Sequence, residues 1–502
     1  MKRFFCFLLC CLLLLGAIAP VRAEDEYADL REQILECISR GEGVDVSSSG
    51  LAVEQLQEIY QDMFYQGLLP WYMDTYVDWS SAPDGTVTRM VPRDMRTRGY
   101  DEKKYERAMA ELIAVTCHEG MTQEQMVLSV HDHIATMVQY SLMGTLNNGY
   151  QALVRGETAC FGYAQLFMRV LERLDIPCRI VICEDTGNGL GHAWNAVCLN
   201  GNWYHVDVTW DDPAKDVDGR VDHDHFLKTD KEFASEENGH TFGWETDVEC
   251  TDRTYAFNPF WEGITSPILF PSDGYMYYRQ DDTANIYIYK QSLKTGAETL
   301  VYRQKQPPVL LEGKYYYCET RGLAVRNGRV WFNTAEAVCS VTTDGEDLRA
   351  EYVCETMADG IIIRGFHIMD NSLLVTFIGP TNQLIKKQIA LTDAPGHIHS
   401  YQARTVSATC DQGGYKEHSC TCGIVFHTDR TFALGHDLVS EETENSLKQI
   451  CQRCGYSENH PLPPKQEQAS ADGWVIAVAG LGAACIALVP VLYFCRKRKV
   501  HK

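Results

Sequence analysis

Residues Gly156–Pro213 read GETACFGYAQLFMRVLERLDIPCRIVICEDTGNGLGHAWNAVCLNGNWYHVDVTWDDP, and the spacing of their polar groups decides how the centre of the chain must fold. Thr158 stands where it can cap a helix that starts near Cys160 and continues through FGYAQLFMRVLERL. Phe161, Ala164, Phe167, Val170, Leu171 and Leu174 offer that helix a buried face. A cysteine at a helix start meets the positive end of the macrodipole, which favours the thiolate, and the same amides can hold an oxyanion during acyl transfer. After Pro177 the sequence predicts a strand near CRIVICE, a glycine-rich loop GNGLG, and two further runs separated by Asn200-Gly201.

Asn-Gly between apolar runs is a type I′ hairpin signal. With those two residues as the turn, Leu199 pairs with Asn202 and every later pair has numbers that sum to 401. His192 then falls opposite Thr209 and Trp194 opposite Asp207, so His192 and Asp207 are diagonal neighbours on one face, within reach of long side chains. That face carries His192, Trp194, His205 and Asp207; the other offers Val197, Leu199, Tyr204, Val206 and Val208 to a core. A base on a strand, an acid behind it and a helix delivering a thiol are the parts that nucleophilic catalysis by cysteine requires. The candidates are Cys160, His192 and Asp207. His205 is a weaker second candidate base, and Trp194 and Trp210 are expected as cleft walls or core. Cys178, Cys183 and Cys198 read as core or disulfide residues, and Asp222-His223-Asp224-His225 as a solvated loop.

The segment resembles the transglutaminase-like superfamily, whose members include peptide N-glycanases and related bacterial surface proteins. GETACFGYA matches the nucleophile turn, HAWN the histidine strand and DVTWDDP the acid strand, over roughly a hundred residues from Thr122 to about Pro213. The resemblance implies a papain-like α+β catalytic domain with Cys160 as nucleophile, His192 as general base and acid, and Asp207 as the orienting carboxylate. It calls for no cofactor and no metal in that site.

Outward from this segment, the 502 residues divide into several expected units. Residues 1–23 read as a cleaved signal peptide: a basic start, an apolar run from Phe4 to Ala19, and Val21-Arg22-Ala23 before the cut. Residues 24–120 read as a helical N-terminal region and 121–249 as the catalytic domain. Its first helix is signalled by a capping box at Thr122 and Gln125 and by Met126, Val130, Ile134 and Met137 at helical spacing. Residues 250–395 alternate apolar and polar residues between Gly, Asn and Asp turns, as in GYMYYRQDDTANIYIYKQSL; propeller-like repeats or a sandwich are equal expectations.

Residues 396–460 hold two related cysteine knuckles, Cys420-Thr421-Cys422-Gly423 and Cys451 to Cys454-Gly455. Zinc held through Cys420, Cys422, Cys451 and Cys454, with Cys410 or His436, competes there with disulfides, and a spacer role is the default. Residues 461–473 read as a linker, 474–495 as a transmembrane helix and 496–502, which includes Arg496-Lys497-Arg498-Lys499, as a cytoplasmic tail.

These ends imply a single-pass cell-surface protein, bacterial in style, with its ectodomain outside. Fifteen cysteines from Cys37 to Cys454 are then extracellular, an odd number that leaves at least one thiol unpaired within the chain. The net charge of −23 excludes nucleic acid as a main partner, because counterion release needs clustered cations. The expected partner is an extracellular protein or cell-wall peptide, as substrate of acyl transfer or hydrolysis, or as ligand of a non-catalytic adhesion protein that uses the same fold.

Overall fold

The computed structural model describes residues 27–461 except 142–146, 188–190, 213–218, 237, 258, 283–284, 306–308, 312–313, 317–321, 356–359, 370–371, 380, 382, 392–399 and 443–445. The expected signal peptide, transmembrane helix and tail lie outside the described residues, as do the linker beyond residue 461 and the middle of the GNGLG loop. Among the described residues no helix is long and apolar enough to cross a membrane.

Helices α1 (Ala28–Arg40) and α2 (Val53–Tyr65) open the chain, with β1 (Val44–Asp45) between them. The region read as helical also contains the hairpin β2 (Met73–Ser81) and β3 (Val87–Asp94), which with β1 makes a sheet of order β1-β3-β2. Its turn is local chemistry: Thr86 donates its N–H to Asp84 Oδ1 at 3.0 Å, and Gly85 takes a φ of 90°. The strands are short of Val and Ile, which is why alternation alone did not announce them. Helix α3 (Glu102–Thr116) then leads into α4 (Gln123–Met137).

Helix α4 starts at the expected capping box, with Gln125 N–H donating to Thr122 Oγ1 at 3.2 Å and Thr122 N–H to Gln125 Oε1 at 3.1 Å. Short β4 (Gln139–Tyr140) pairs in parallel with β5 (Glu157–Thr158), and α5 (Cys160–Arg173) follows directly. Strands β6 (Cys178–Cys183), β7 (His192–Leu199) and β8 (Asn202–Val206) form an antiparallel sheet in chain order. Asn200 and Gly201 both have positive φ, 53° and 84°, the I′ signature. The observed pairs, from Leu199 with Asn202 to Asn195 with Val206, keep the expected register.

The two faces of this sheet serve different cores. Val197, Leu199, Tyr204, Val206 and Val208 join the large cluster that also includes Tyr60 and Phe64 of α2 and Phe167 of α5. Trp194 and Ala196 face a smaller cluster with Val181, Phe233 and Cys250. Asn195 fastens sheet to helix: its fully buried Nδ2 donates to Ala164 O at 3.0 Å and lies 3.2 Å from Arg179 O.

A buried charge network ties α4 to the far side of the domain. His131 lies between Asp132 Oδ1 (2.8 Å) and Asp211 Oδ2 (3.2 Å). His223 joins Asp132 Oδ1 (3.0 Å) to Ile264 O (2.9 Å), and His225 joins Asp211 Oδ1 (2.9 Å) to Asn238 O (3.0 Å). The Asp222–His225 stretch is therefore no solvated loop; its histidines point inward, and His223 is buried. Burial opposes charge on these rings, but the carboxylates outweigh it and lift His131 and His225 to about 9.

Beyond residue 270 the chain forms successive antiparallel meanders: Tyr275–Lys305 in three strands, Leu323–Val353 in four, Ile362–Ala390 in three and Gln402–Thr428 in three. Among the described residues these sheets stay separate, and no propeller or barrel closes. The chain divides into two compact units at Leu434/Gly435, and the second unit contains a three-stranded meander, Leu438–Pro461.

Replacing His131 by Leu leaves the Asp132 and Asp211 carboxylates buried beside an apolar side chain. We expect about 3–5 kcal/mol of stability to be lost in urea unfolding. A change below 1 kcal/mol means the network is not charged.

Candidate active site

Cys160 is the first residue of α5 and is partly exposed. The cap comes from elsewhere than expected: Thr158 belongs to β5, and the Gly162 N–H is accepted by Asn147 Oδ1 at 2.7 Å. Thr158 Oγ1 packs instead against Gly162, where a Cβ would lie 2.1 Å from it. Only glycine fits there, two residues after Cys160.

His192 opens β7 and is 8% exposed. Its Nε2 lies 2.6 Å from Asp207 Oδ2, which leaves Nδ1 as the ring nitrogen for Cys160, whose side chain is a hydrogen-bond partner of this ring. Asp207 is not opposite Trp194 in the ladder, because β8 ends at Val206. Asp207 instead caps the short helix α6 (Val208–Asp211), its Oδ1 accepting the N–H groups of Thr209 (3.0 Å) and Trp210 (3.1 Å). The cap ends the strand before His192 can pair with Thr209, yet the same-face placement of His192 and Asp207 survives.

Charge follows geometry. Burial by itself would lower the basicity of His192, but the Asp207 carboxylate overrides it, Cys160 adds to the effect, and the ring is pushed up to about 10. Burial likewise works against ionised Asp207, and His192 with His240 holds it well below the usual carboxylate range. The pair is thus an imidazolium and a carboxylate across neutral pH. Trp210, 36% exposed, covers the ring at 5.3 Å between centroids, so it is a cleft wall, whereas buried Trp194 is core.

His205 does not compete as a base. Its Nδ1 accepts the Trp194 indole N–H at 3.0 Å, and its Nε2 donates to Asp230 Oδ1 at 2.8 Å, so both nitrogens are committed. Cys160, Cys178, Cys183 and Cys198 are free thiols. Burial pushes Cys178 up to about 12, which keeps it inert.

His240 and Asn147 escaped sequence reading because each lies in a loop without a motif of its own, and Asn195, though it closes the HAWN run, was given no role there. His240 Nε2 is 3.0 Å from Asp207 Oδ2. The metal-type groups among the described residues include His131, Asp132 and His223, and, inside the second unit, His436, Cys451 and Cys454. In that unit Cys454 Sγ lies 3.3 Å from His436 Nδ1, and Asp437 N–H donates to Cys451 Sγ. Cys410, Cys420 and Cys422 belong to the first unit.

With this geometry in place, the comparisons with known proteins identify the class. Residues 111–208 match the model of the transglutaminase-like superfamily, so this stretch of the chain is a transglutaminase-like domain. It is 30% identical to Kyphoscoliosis peptidase of Homo sapiens and 29% identical to that of Mus musculus, each over 116 residues. The match covers 20% of this chain and 18% of the human protein, so the chain spans under a fifth of that relative's length. Among solved structures it is similar to a proposed cysteine protease from Cytophaga hutchinsonii, at 17% identity and a TM-score of 0.19, covering 27% of this chain and 61% of that one. A TGase matches at 12% identity and a TM-score of 0.18, covering 32% of this chain and 48% of that one.

The His192–Asp207 pair should shape stability against pH. The raised His192 contributes fully below its unfolded value of 6.5, and this is lost as pH climbs through about 10. The depressed Asp207 contributes above its unfolded value near 4, and this is lost as pH falls through its folded one. The gap in melting temperature between wild type and Asp207→Asn should therefore be widest between about pH 4 and 6.5 and shrink toward pH 10. A gap that stays flat from pH 5 to 10 contradicts the ion pair.

Proposed function

We propose that the chain is a cysteine enzyme that performs acyl transfer or hydrolysis on carboxamide or peptide bonds through a thioester. One observation carries the reading: His192 is held by Asp207 at 2.6 Å, with its other nitrogen turned to a helix-start thiol.

In the first step the Cys160 thiolate attacks the carbonyl carbon. A C–S bond forms, the C–N bond breaks, and the His192 imidazolium gives its Nδ1 proton to the departing amine or ammonia. In the second step neutral His192 takes a proton from the incoming amine or water, whose lone pair attacks the thioester. The C–S bond breaks, and thiolate and imidazolium are restored. Asp207 fixes the ring and balances its charge throughout. The helix start supplies N–H groups and a positive dipole end toward the developing oxyanion.

A groove of about 600 Å³ runs beside the start of α5, lined by Phe64, Tyr65, Tyr76, Tyr100, Asn147 and Phe161. Aromatic walls with an amide among them suit an extended peptide, which supports a protein or cell-wall peptide as substrate. The name of the mammalian relatives favours peptide-bond chemistry on the same grounds. We place the enzyme on the outside of a bacterial cell, anchored by residues 474–495, on the strength of the two apolar ends. An adhesion protein with the same fold has no need of a charged imidazole directed at a thiol.

The test is incubation of the purified protein with a glutamine-rich protein and a primary amine, read by mass spectrometry. Amine incorporation, a one-dalton gain or chain cleavage is expected. Cys160→Ala should abolish it, and His192→Ala should lower the rate by about 10³ or more. Turnover that survives Cys160→Ala refutes the assignment.

A further inference from the structure

His240 lies outside every motif, in the loop after helix α7 (Asp230–Phe233), yet it is fully buried. Its ring is clamped between Phe233, 3.8 Å away by centroid, and Trp210, 4.0 Å away. That clamp aims Nε2 at Asp207 Oδ2 at 3.0 Å, the same oxygen that holds His192. The opposite nitrogen, Nδ1, is 3.1 Å from Asn238 Oδ1, and Asn238 is itself tied to Asp224 O by Nδ2 at 2.8 Å.

A carboxylate offers about four acceptor positions. In Asp207 all four are used: Thr209 and Trp210 amides on Oδ1, His192 and His240 on Oδ2. Two rings on one oxygen have a consequence for catalysis. A carboxylate that gave all its charge to His192 would bind the imidazolium proton too well for easy release to a leaving group, since a catalytic acid works best near the operating pH. A second N–H donor draws off part of that charge and also fixes the carboxyl plane.

We propose that His240 is a positioning residue, which shares Asp207 Oδ2 with His192 and so divides the carboxylate's charge between the two rings. It rests on the reading of Cys160 and His192 as a reactive pair. His240 serves as the donor to Asp207 through Nε2: burial lowers the basicity of its ring, the Asp207 carboxylate works against that, and the nearby His225 and His192 cations add to the lowering. The titratable groups around this centre are Cys160 from α5, His192 from β7, Tyr140 from β4, and His225 and His240 from the loops.

The experiment is the pH profile of Cys160 alkylation by iodoacetamide in the full chain, resolved by peptide mass spectrometry. The upper inflection reports the loss of the His192 proton. His240→Phe keeps the stacked ring but loses the donor, and should raise that inflection by about half a pH unit to one unit. His240→Gln, whose amide can reach the Nε2 position, should return it to the wild-type value. If the phenylalanine variant fails to fold, His240→Asn, with an amide too short to reach, takes its place and should show the same rise. Identical profiles for wild type and the donor-lacking variant, alongside a profile lost in His192→Ala, overturn the proposal and leave the pair standing. A profile unchanged in His192→Ala overturns the pair itself, and the role of His240 with it.

Discussion

The arrangement depends on one buried carboxylate. Asp207 has no contact with solvent and is ionised because two backbone amides and two imidazoles surround it. Desolvating a lone carboxylate costs several kcal/mol, so each of those donors is required if the charge is to persist. The same side chain does two jobs: Oδ1 starts a helix and thereby ends a strand, and Oδ2 sets the charge and tilt of His192. Fold and site are therefore not separable at this residue.

A second buried network lies behind it and follows the same logic with different residues. Asp211, four positions on, takes His131 from α4 and His225 from the following loop, and Asp132 takes His131 and His223. Asn238 joins the two systems, accepting from His225 through its backbone oxygen and facing His240 with its side chain. The DVTWDDP segment thus contributes more than the single carboxylate that holds His192. Asp211 holds His225, whose other nitrogen holds Asn238 O, and this chain of contacts orders the loop that brings His240 to Asp207.

The hairpin was legible in the sequence because an Asn-Gly turn fixes register and a period of two fixes faces, so the His192–Asp207 neighbourhood followed from counting alone. The limit of that counting is instructive. It placed Thr209 in a strand, where the hydrogen bonds of the Asp207 cap made a helix instead, and a local cap outweighs the strand preference of Val208 and Thr209. The helix start was legible from Cys160, but its cap came from Asn147, which no spacing connects to it. His240, 33 positions after Asp207, and the inward turn of His223 and His225 were not legible either, since tertiary proximity leaves no periodic trace. The alternation after residue 270 gave strands correctly; their grouping into separate meanders depends on which edges meet, and that information is not local.

The central claim is that Asp207 holds His192 as an imidazolium facing the Cys160 thiol at neutral pH. Nitrogen-15 NMR of histidine-labelled protein, with the His192 signals assigned through His192→Gln, measures this directly. The account predicts that both His192 ring nitrogens carry protons at pH 7.5 and that the ring titrates near 10. A His192 ring that is neutral at pH 7.5, with one bare nitrogen, would contradict it.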